Sequence, residues 1–146
     1  MSACYLDTSA LAKWYINEPG SEAFERFVRE IDVAAISRLT VVELRCLLAR
    51  RRRAGDFDGR YERAAFEAFQ RDLGAGRFHL RSFHDARFLD AVDLIDSVEP
   101  VPLRTLDALH LAVAVDAGVE SLATGDRNMA RAADALGLEL HWFGDG

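Results

Sequence analysis

Residues 5–15 read YLDTSALAKWY. A tyrosine and a leucine lead into Asp7, Thr8 and Ser9, and an apolar spacing of helical period follows. The run SACYLD (2–7) predicts a buried strand, and the change of period predicts a helix from about Thr8 to Ile16. A strand that runs straight into a helix is the first half of a parallel βα unit. An acid at the junction either caps the helix or holds something in the cleft at the strand's end.

The rest of the chain repeats this alternation. Further strands are predicted at DVAAIS (32–37), RFHLRSF (77–83), SLATGD (121–126) and LELHWF (138–143). Between them lie helices at 21–30, capped by Ser21, at 38–52, closed by Gly55, and at 60–73, ended by Gly74 and Gly76. Later helices run over 85–98, stopped by Pro100 and Pro102, over 103–118, stopped by Gly118, and over 127–137. Strands alternating with helices imply an α/β layer structure with a mostly parallel sheet. The 146 residues, 1–146, form one domain long enough to bury a core. Trp14, Tyr15, Phe24 and Phe27 read as an apolar surface that seats a partner helix or packs that core.

With half its residues hydrophobic and 29% charged, the chain is globular rather than disordered. No window approaches the roughly 18 consecutive apolar residues of a membrane span, and the N-terminus lacks the basic start of a signal peptide. Cys4 and Cys46 stand alone in apolar surroundings and read as reduced core thiols of a cytoplasmic protein. The net charge of −6 argues at first sight against a polyanionic partner. Yet all 18 basic residues except Lys13 are arginine, and four form the run Arg50 to Arg53. An acidic protein binds nucleic acid when its acids surround metal and its arginines line the approach.

Four acids stand among apolar neighbours, where an unpaired carboxylate is costly. In LDALHLAVAV (106–115) the polar side chains are Asp107 and His110, and a helix apolar on nearly every face is buried. Glu43 lies on a stripe with Leu39, Thr40, Cys46 and Leu47. Asp7 and Asp126 each end a short strand and begin a helix, so capping accounts for either one taken singly. Location adds a second role. In an open parallel sheet, ligands bind at the carboxyl ends of the strands, and all four acids belong to that edge. Four carboxylates in one cleft stay ionised only with a counter-charge. All-oxygen ligation selects Mg²⁺, with Mn²⁺ able to substitute, and the chemistry such a site serves is hydrolysis at phosphorus.

The stretches YLDTSAL (5–11), SRLTVVEL (37–44), LRTLDALHLA (103–112) and LATGDRNMARAA (122–133) resemble the successive acidic motifs of PIN-domain ribonucleases, and above all those of VapC-type toxins. The resemblance spans essentially the whole chain. It implies a three-layer α/β/α sandwich, Mg²⁺- or Mn²⁺-dependent endonucleolytic cleavage of RNA, and metal ligands at Asp7, Glu43, Asp107 and Asp126. It also implies a homodimer and a cognate VapB-like antitoxin that covers the acidic pocket.

Around these acids, Thr8, Ser9 and Thr124 either orient a carboxylate or serve as turn hydroxyls. His110 reads as a core histidine paired with a backbone carbonyl rather than as a ligand. Arg104 is the preferred phosphate contact. Arg50 to Arg53, with Arg45, either contact phosphate or simply favour the helix dipole. Two rival chemistries fail on residues: a phospho-receiver needs a late lysine, and a haloacid-dehalogenase phosphatase needs an aspartate where Ser9 stands. A non-catalytic PIN-like domain that binds RNA or a partner is the remaining alternative.

Overall fold

A computed structural model of the protein describes residues 2–145. Strands and helices follow in the order β1 (Ala3–Leu6), α1 (Thr8–Tyr15), α2 (Ser21–Glu30), β2 (Val33–Ser37), α3 (Arg38–Arg53), α4 (Gly59–Gly74), β3 (His79–Arg81), α5 (Ala86–Ser97), α6 (Thr105–Asp116), β4 (Ser121–Thr124), α7 (Arg127–Ala135) and β5 (Glu139–Trp142). Each predicted element is present, most of them trimmed at their ends.

The sheet order is β3-β2-β1-β4-β5, with every neighbouring pair parallel. From β1 the chain winds outward through β2 and β3, then crosses to the other side for β4 and β5. The topological switch point therefore lies between β1 and β4, where an open α/β sheet leaves a crevice at its carboxyl edge.

Side-chain alternation builds the two outer layers. Cys4 and Leu6 of β1, with Ala34, Ile36 and Ala123 beside them, pack under Leu11, Phe24, Leu44, Leu48 and Phe69 from α1 to α4. Tyr5, Ala35 and Leu122 point the other way, onto Leu111 and Val113 of α6 and Met129, Ala132 and Ala133 of α7. These strands carry apolar residues at consecutive positions because both of their faces are covered. The result is the expected α/β/α sandwich. Outside it, α5 packs on α6 and buries only Ala91, leaving Phe88, Leu89 and Val92 exposed. No helix among the described residues is long and apolar enough to cross a membrane.

Two expectations are corrected. Cys4 is buried, and burial pushes its thiol up to about 11, but Cys46 is exposed. The core face of α3 is Thr40, Leu44 and Leu48. Cys46 sits on the adjoining stripe, which faces a cleft instead. Ser21 does not cap α2. That position is Gly20, in the left-handed region at φ 93°, where a Cβ would stand 3.0 Å from the Phe143 carbonyl oxygen. The Ser21 hydroxyl instead donates to the Ile16 carbonyl at 2.9 Å and accepts from the Glu18 amide at 3.0 Å. Of the two readings of the aromatic group, core packing holds: Tyr15 and Phe24 are buried and Trp14 and Phe27 pack against the same core.

Candidate active site

Asp7 follows β1, Asp126 follows β4, Glu43 stands on the second turn of α3, and Asp107 on the first turn of α6. All four border one cavity of about 790 Å³ at the carboxyl edge of the sheet, together with Thr8, Ser9, Leu39, Cys46, Arg50 and Arg104. Segments more than a hundred residues apart meet here because β1 and β4 flank the switch point while α3 and α6 begin at the same edge.

Asp7 is the most firmly held. One carboxyl oxygen accepts from the Thr8 amide at 2.9 Å, and the other accepts from the Ser9 hydroxyl at 2.9 Å and the Thr124 hydroxyl at 2.7 Å. Asp7 is thus the N-cap of α1. Asp126 caps α7 in the same way, one oxygen accepting from the Asn128 amide at 2.8 Å and the Met129 amide at 3.0 Å. The capping role expected at both junctions is present, and each acid keeps unspent lone pairs. Thr124 further accepts from the Asp126 amide at 3.0 Å, so its one hydroxyl ties the two strand ends together. Both threonines act on carboxylates, since Thr8 donates to Glu43 Oε1 at 3.2 Å.

His110 departs from the sequence reading. It is fully buried, as expected, but it bonds side chains rather than a backbone carbonyl. Nδ1 lies 2.6 Å from Tyr5 Oη, and Nε2 contacts Glu43 Oε1. A polar residue three positions after Asp107 on an otherwise apolar helix was the visible signal for His110. Nothing in the sequence marked Tyr5 as its partner.

The acids feel one another. Burial is the main cause pushing the Asp107 carboxyl up, to about 6, and the negative charges of Asp7 and Asp126 add to it, with Arg104 and His110 opposing. Asp7 is also raised, chiefly by burial, against the pull of His110 and its two hydroxyl donors. For Glu43 burial pushes upward too, but the hydrogen bond and charge of His110 and the Thr8 hydroxyl outweigh it and hold the group low.

Among the described residues, no three acid, histidine or cysteine side chains stand close enough together to grip an ion as placed. The donor chemistry nevertheless fits a hard divalent cation. All the carboxylates are oxygen donors around one cavity. The Asp107 carboxylate is shaped by burial and neighbouring charges alone, which leaves its oxygens uncommitted.

The arginine run divides by partner. Arg50 borders the cavity. Arg51 pairs with Glu18 at 3.0 Å and with Asp56, and Arg52 pairs with Glu62 at 2.7 Å, where Arg45 also binds. Arg53 is exposed. Arg104, the N-cap residue of α6, is exposed at the cavity rim.

A winding parallel sheet with acids at its switch point matches known proteins. Residues 4–135 match the family model of the PIN domain, and the chain belongs to that family. It is a VapC-type member, 37% identical over 144 residues to Ribonuclease VapC46 of Mycobacterium tuberculosis, with 96% of this chain and 97% of that one covered. Solved structures of similar fold include VapC20 of Mycobacterium tuberculosis, a toxin cleaving the sarcin–ricin loop. It has a TM-score of 0.70 and 17% identity over 88% of this chain and 94% of that one. FitAcB from Neisseria gonorrhoeae gives 0.70 and 19%, over 94% and 95%. VapBC2 from Rickettsia felis, bound to a DNA fragment of its promoter, gives 0.64 and 15%, over 95% and 97%. At these identities the likeness to the solved structures is one of fold.

Proposed function

We propose that the protein is a metal-dependent endoribonuclease and the toxin of a type II toxin–antitoxin pair. The observation that carries this reading is the meeting of Asp7, Glu43, Asp107 and Asp126 around one cavity, in a chain 37% identical to a named ribonuclease. These four residues would hold Mg²⁺, or Mn²⁺ in its place. When bound, the ion offsets the crowded carboxylates and supplies Lewis acidity at the scissile phosphate.

The remaining work falls to the chain's own groups. Ser9, Thr124 and the Thr8 amide keep the Asp7 carboxylate in one orientation. Arg104 and Arg50, at the cavity rim, meet the phosphates on either side of the scissile bond, the contacts through which a nuclease positions its substrate without reading bases. Leu39, Val42 and Leu106 give the cavity an apolar flank against which unstacked bases of single-stranded or looped RNA can lie.

A VapB-like antitoxin is the proposed partner, supported by the fold shared with solved VapBC assemblies. Self-association into a homodimer is supported by the apolar outer face of α5, where Phe88, Leu89 and Val92 are exposed. A cytoplasmic location accords with this assignment.

The test is to incubate the purified chain with RNA in Mg²⁺ and in chelator, map the new ends, and repeat with Asp7→Asn. Metal-dependent ends from the parent that vanish in the variant are expected. RNA bound but uncut by the parent in Mg²⁺ would favour the alternative, a PIN-like binding domain without catalysis.

A further inference from the structure

Glu43 has a long side chain half open to the cavity, and stilling such a chain costs rotamer entropy. The protein holds it from two sides. Thr8 Oγ1 donates to Oε1 at 3.2 Å, and His110 Nε2 contacts the same oxygen. His110 is itself anchored, with Nδ1 at 2.6 Å from Tyr5 Oη. Tyr5 Oη is bonded to Ser37 Oγ at 2.9 Å, and Ser37 belongs to the capping box that opens α3. The chain of contacts leaves the first residues of α3, crosses β1, passes through α6 and returns to α3 at Glu43. It bridges the two helical layers over the edge of the sheet.

The proton inventory admits one direction at the end that matters. Tyr5 Oη has a single proton, kept in place by burial, and gives it either to Ser37 or to Nδ1. In both arrangements Nε2 carries a proton aimed at Oε1, because an ionised carboxylate only accepts. Both hydrogen bonds to Glu43 fall on Oε1, and Oε2 is left for the cavity.

A buried Tyr–His pair is a poor way to stabilise a core. Burying these polar groups costs free energy that their hydrogen bonds only offset, and Phe and Leu would fill the same space without that cost. The network ends not on a backbone carbonyl but on an acid of the site. We infer that His110 and Tyr5 are positioning residues for Glu43, fixing its rotamer so that Oε2 is presented to a divalent cation; this rests on the metal-dependent reading above.

The experiment is a Mn²⁺ titration of the full chain followed by electron paramagnetic resonance, with thermal unfolding measured beside it. Tyr5→Phe deletes one oxygen and keeps the ring, and it should weaken Mn²⁺ binding about tenfold, as losses behind a metal ligand do. His110→Ala should do the same or more. The double variant should be no worse than His110→Ala, since Tyr5 acts only through the imidazole. His110→Gln, which retains an N–H donor, should recover part of the affinity. With a stem–loop RNA as substrate the loss should appear in kcat and leave KM unchanged.

A lower melting temperature with parental Mn²⁺ affinity in Tyr5→Phe would overturn the inference, as would losses that add in the double variant. Should His110→Ala not fold, Tyr5→Phe and His110→Gln still decide the matter. A parent that binds no Mn²⁺ sinks the functional reading itself. A parent whose binding is lost in Asp7→Asn but indifferent to Tyr5→Phe sinks only the positioning role.

Discussion

Asp7 and Asp107 border the same cavity with opposite kinds of support. Asp7 is buried and accepts three hydrogen bonds, one from the amide it caps and two from hydroxyls. Asp107 is half-buried at the start of α6, beside Arg104, and its carboxyl is raised by burial and by the charges of Asp7 and Asp126. One acid is a fixed anchor that also shapes the backbone. The other is electrostatically stressed: both carboxyls are raised by burial, but Asp107 has no hydroxyl donor to oppose the rise. A site made only of anchors would have no oxygens to spare for an ion, and a site made only of stressed acids would weigh on the fold. The protein divides the two tasks.

The largest expected effect comes from breaking the anchor's charge while keeping its shape. Asp7→Asn retains an oxygen for the Thr8 amide, and asparagine is as good an N-cap as aspartate. The fold should persist by circular dichroism while RNA cleavage falls on the order of 100-fold or more, as expected when a ligand charge is lost. Next comes the anchor's support. Thr124→Val removes a fully buried donor and should cost about tenfold in cleavage. It should also cost about 1–2 kcal/mol in denaturant unfolding, because the buried Asp7 carboxylate and the part-buried Asp126 amide each lose a partner.

The stressed acid predicts a pH dependence. Metal binding needs the carboxylate, and protons compete for Asp107 below about 6. Mn²⁺ affinity should therefore be level above about pH 7 and fall toward tenfold per unit below pH 6. Asp107→Asn should bind more weakly at pH 7.5, and the gap from the parent should close as pH falls below 6. Stability without metal runs the other way. A carboxyl whose folded value is raised above its free value favours the fold at low pH, and that contribution is lost as pH rises through about 6. Asp107→Asn should then stabilise the metal-free protein at pH 7.5 by about 1 kcal/mol, since water around the half-open group screens much of the repulsion. The gain should vanish below pH 4. Equal stability of the two proteins at pH 7.5 would show that Asp107 is not under stress.

The smallest effect separates two arginines. Arg104→Ala should raise KM about threefold and lower the salt slope of RNA binding by about one, as loss of a single phosphate contact does. Arg52→Ala breaks the pair with Glu62 and should show up in stability rather than in RNA binding.

Much of this was legible in the chain, and for identifiable reasons. Cys4, Leu6, Ala34 and Ile36 lie on one face of the sheet and Tyr5 and Ala35 on the other; consecutive apolar positions of this kind mark a strand buried on both sides. Asp7, Glu43, Asp107 and Asp126 were visible because acids among apolar neighbours are rare and local composition exposes them. Cys46 was misjudged because a helix has more than one apolar stripe, and only packing tells which faces the core and which a cleft. His110 was noticed, but its partners lie 105 and 67 residues away, beyond the reach of periodicity.

Period, caps and breakers are properties of neighbours in the chain, so local order along the polypeptide already fixes the alternation of strands and helices, their approximate ends and the identity of the charged candidates. Which strands lie side by side depends on burying both faces of a twisted sheet at once, a condition on the whole molecule. Only the tertiary structure placed the switch point between β1 and β4, turned the Glu43 stripe toward a cavity, and set an imidazole from one helical layer against a carboxylate from the other.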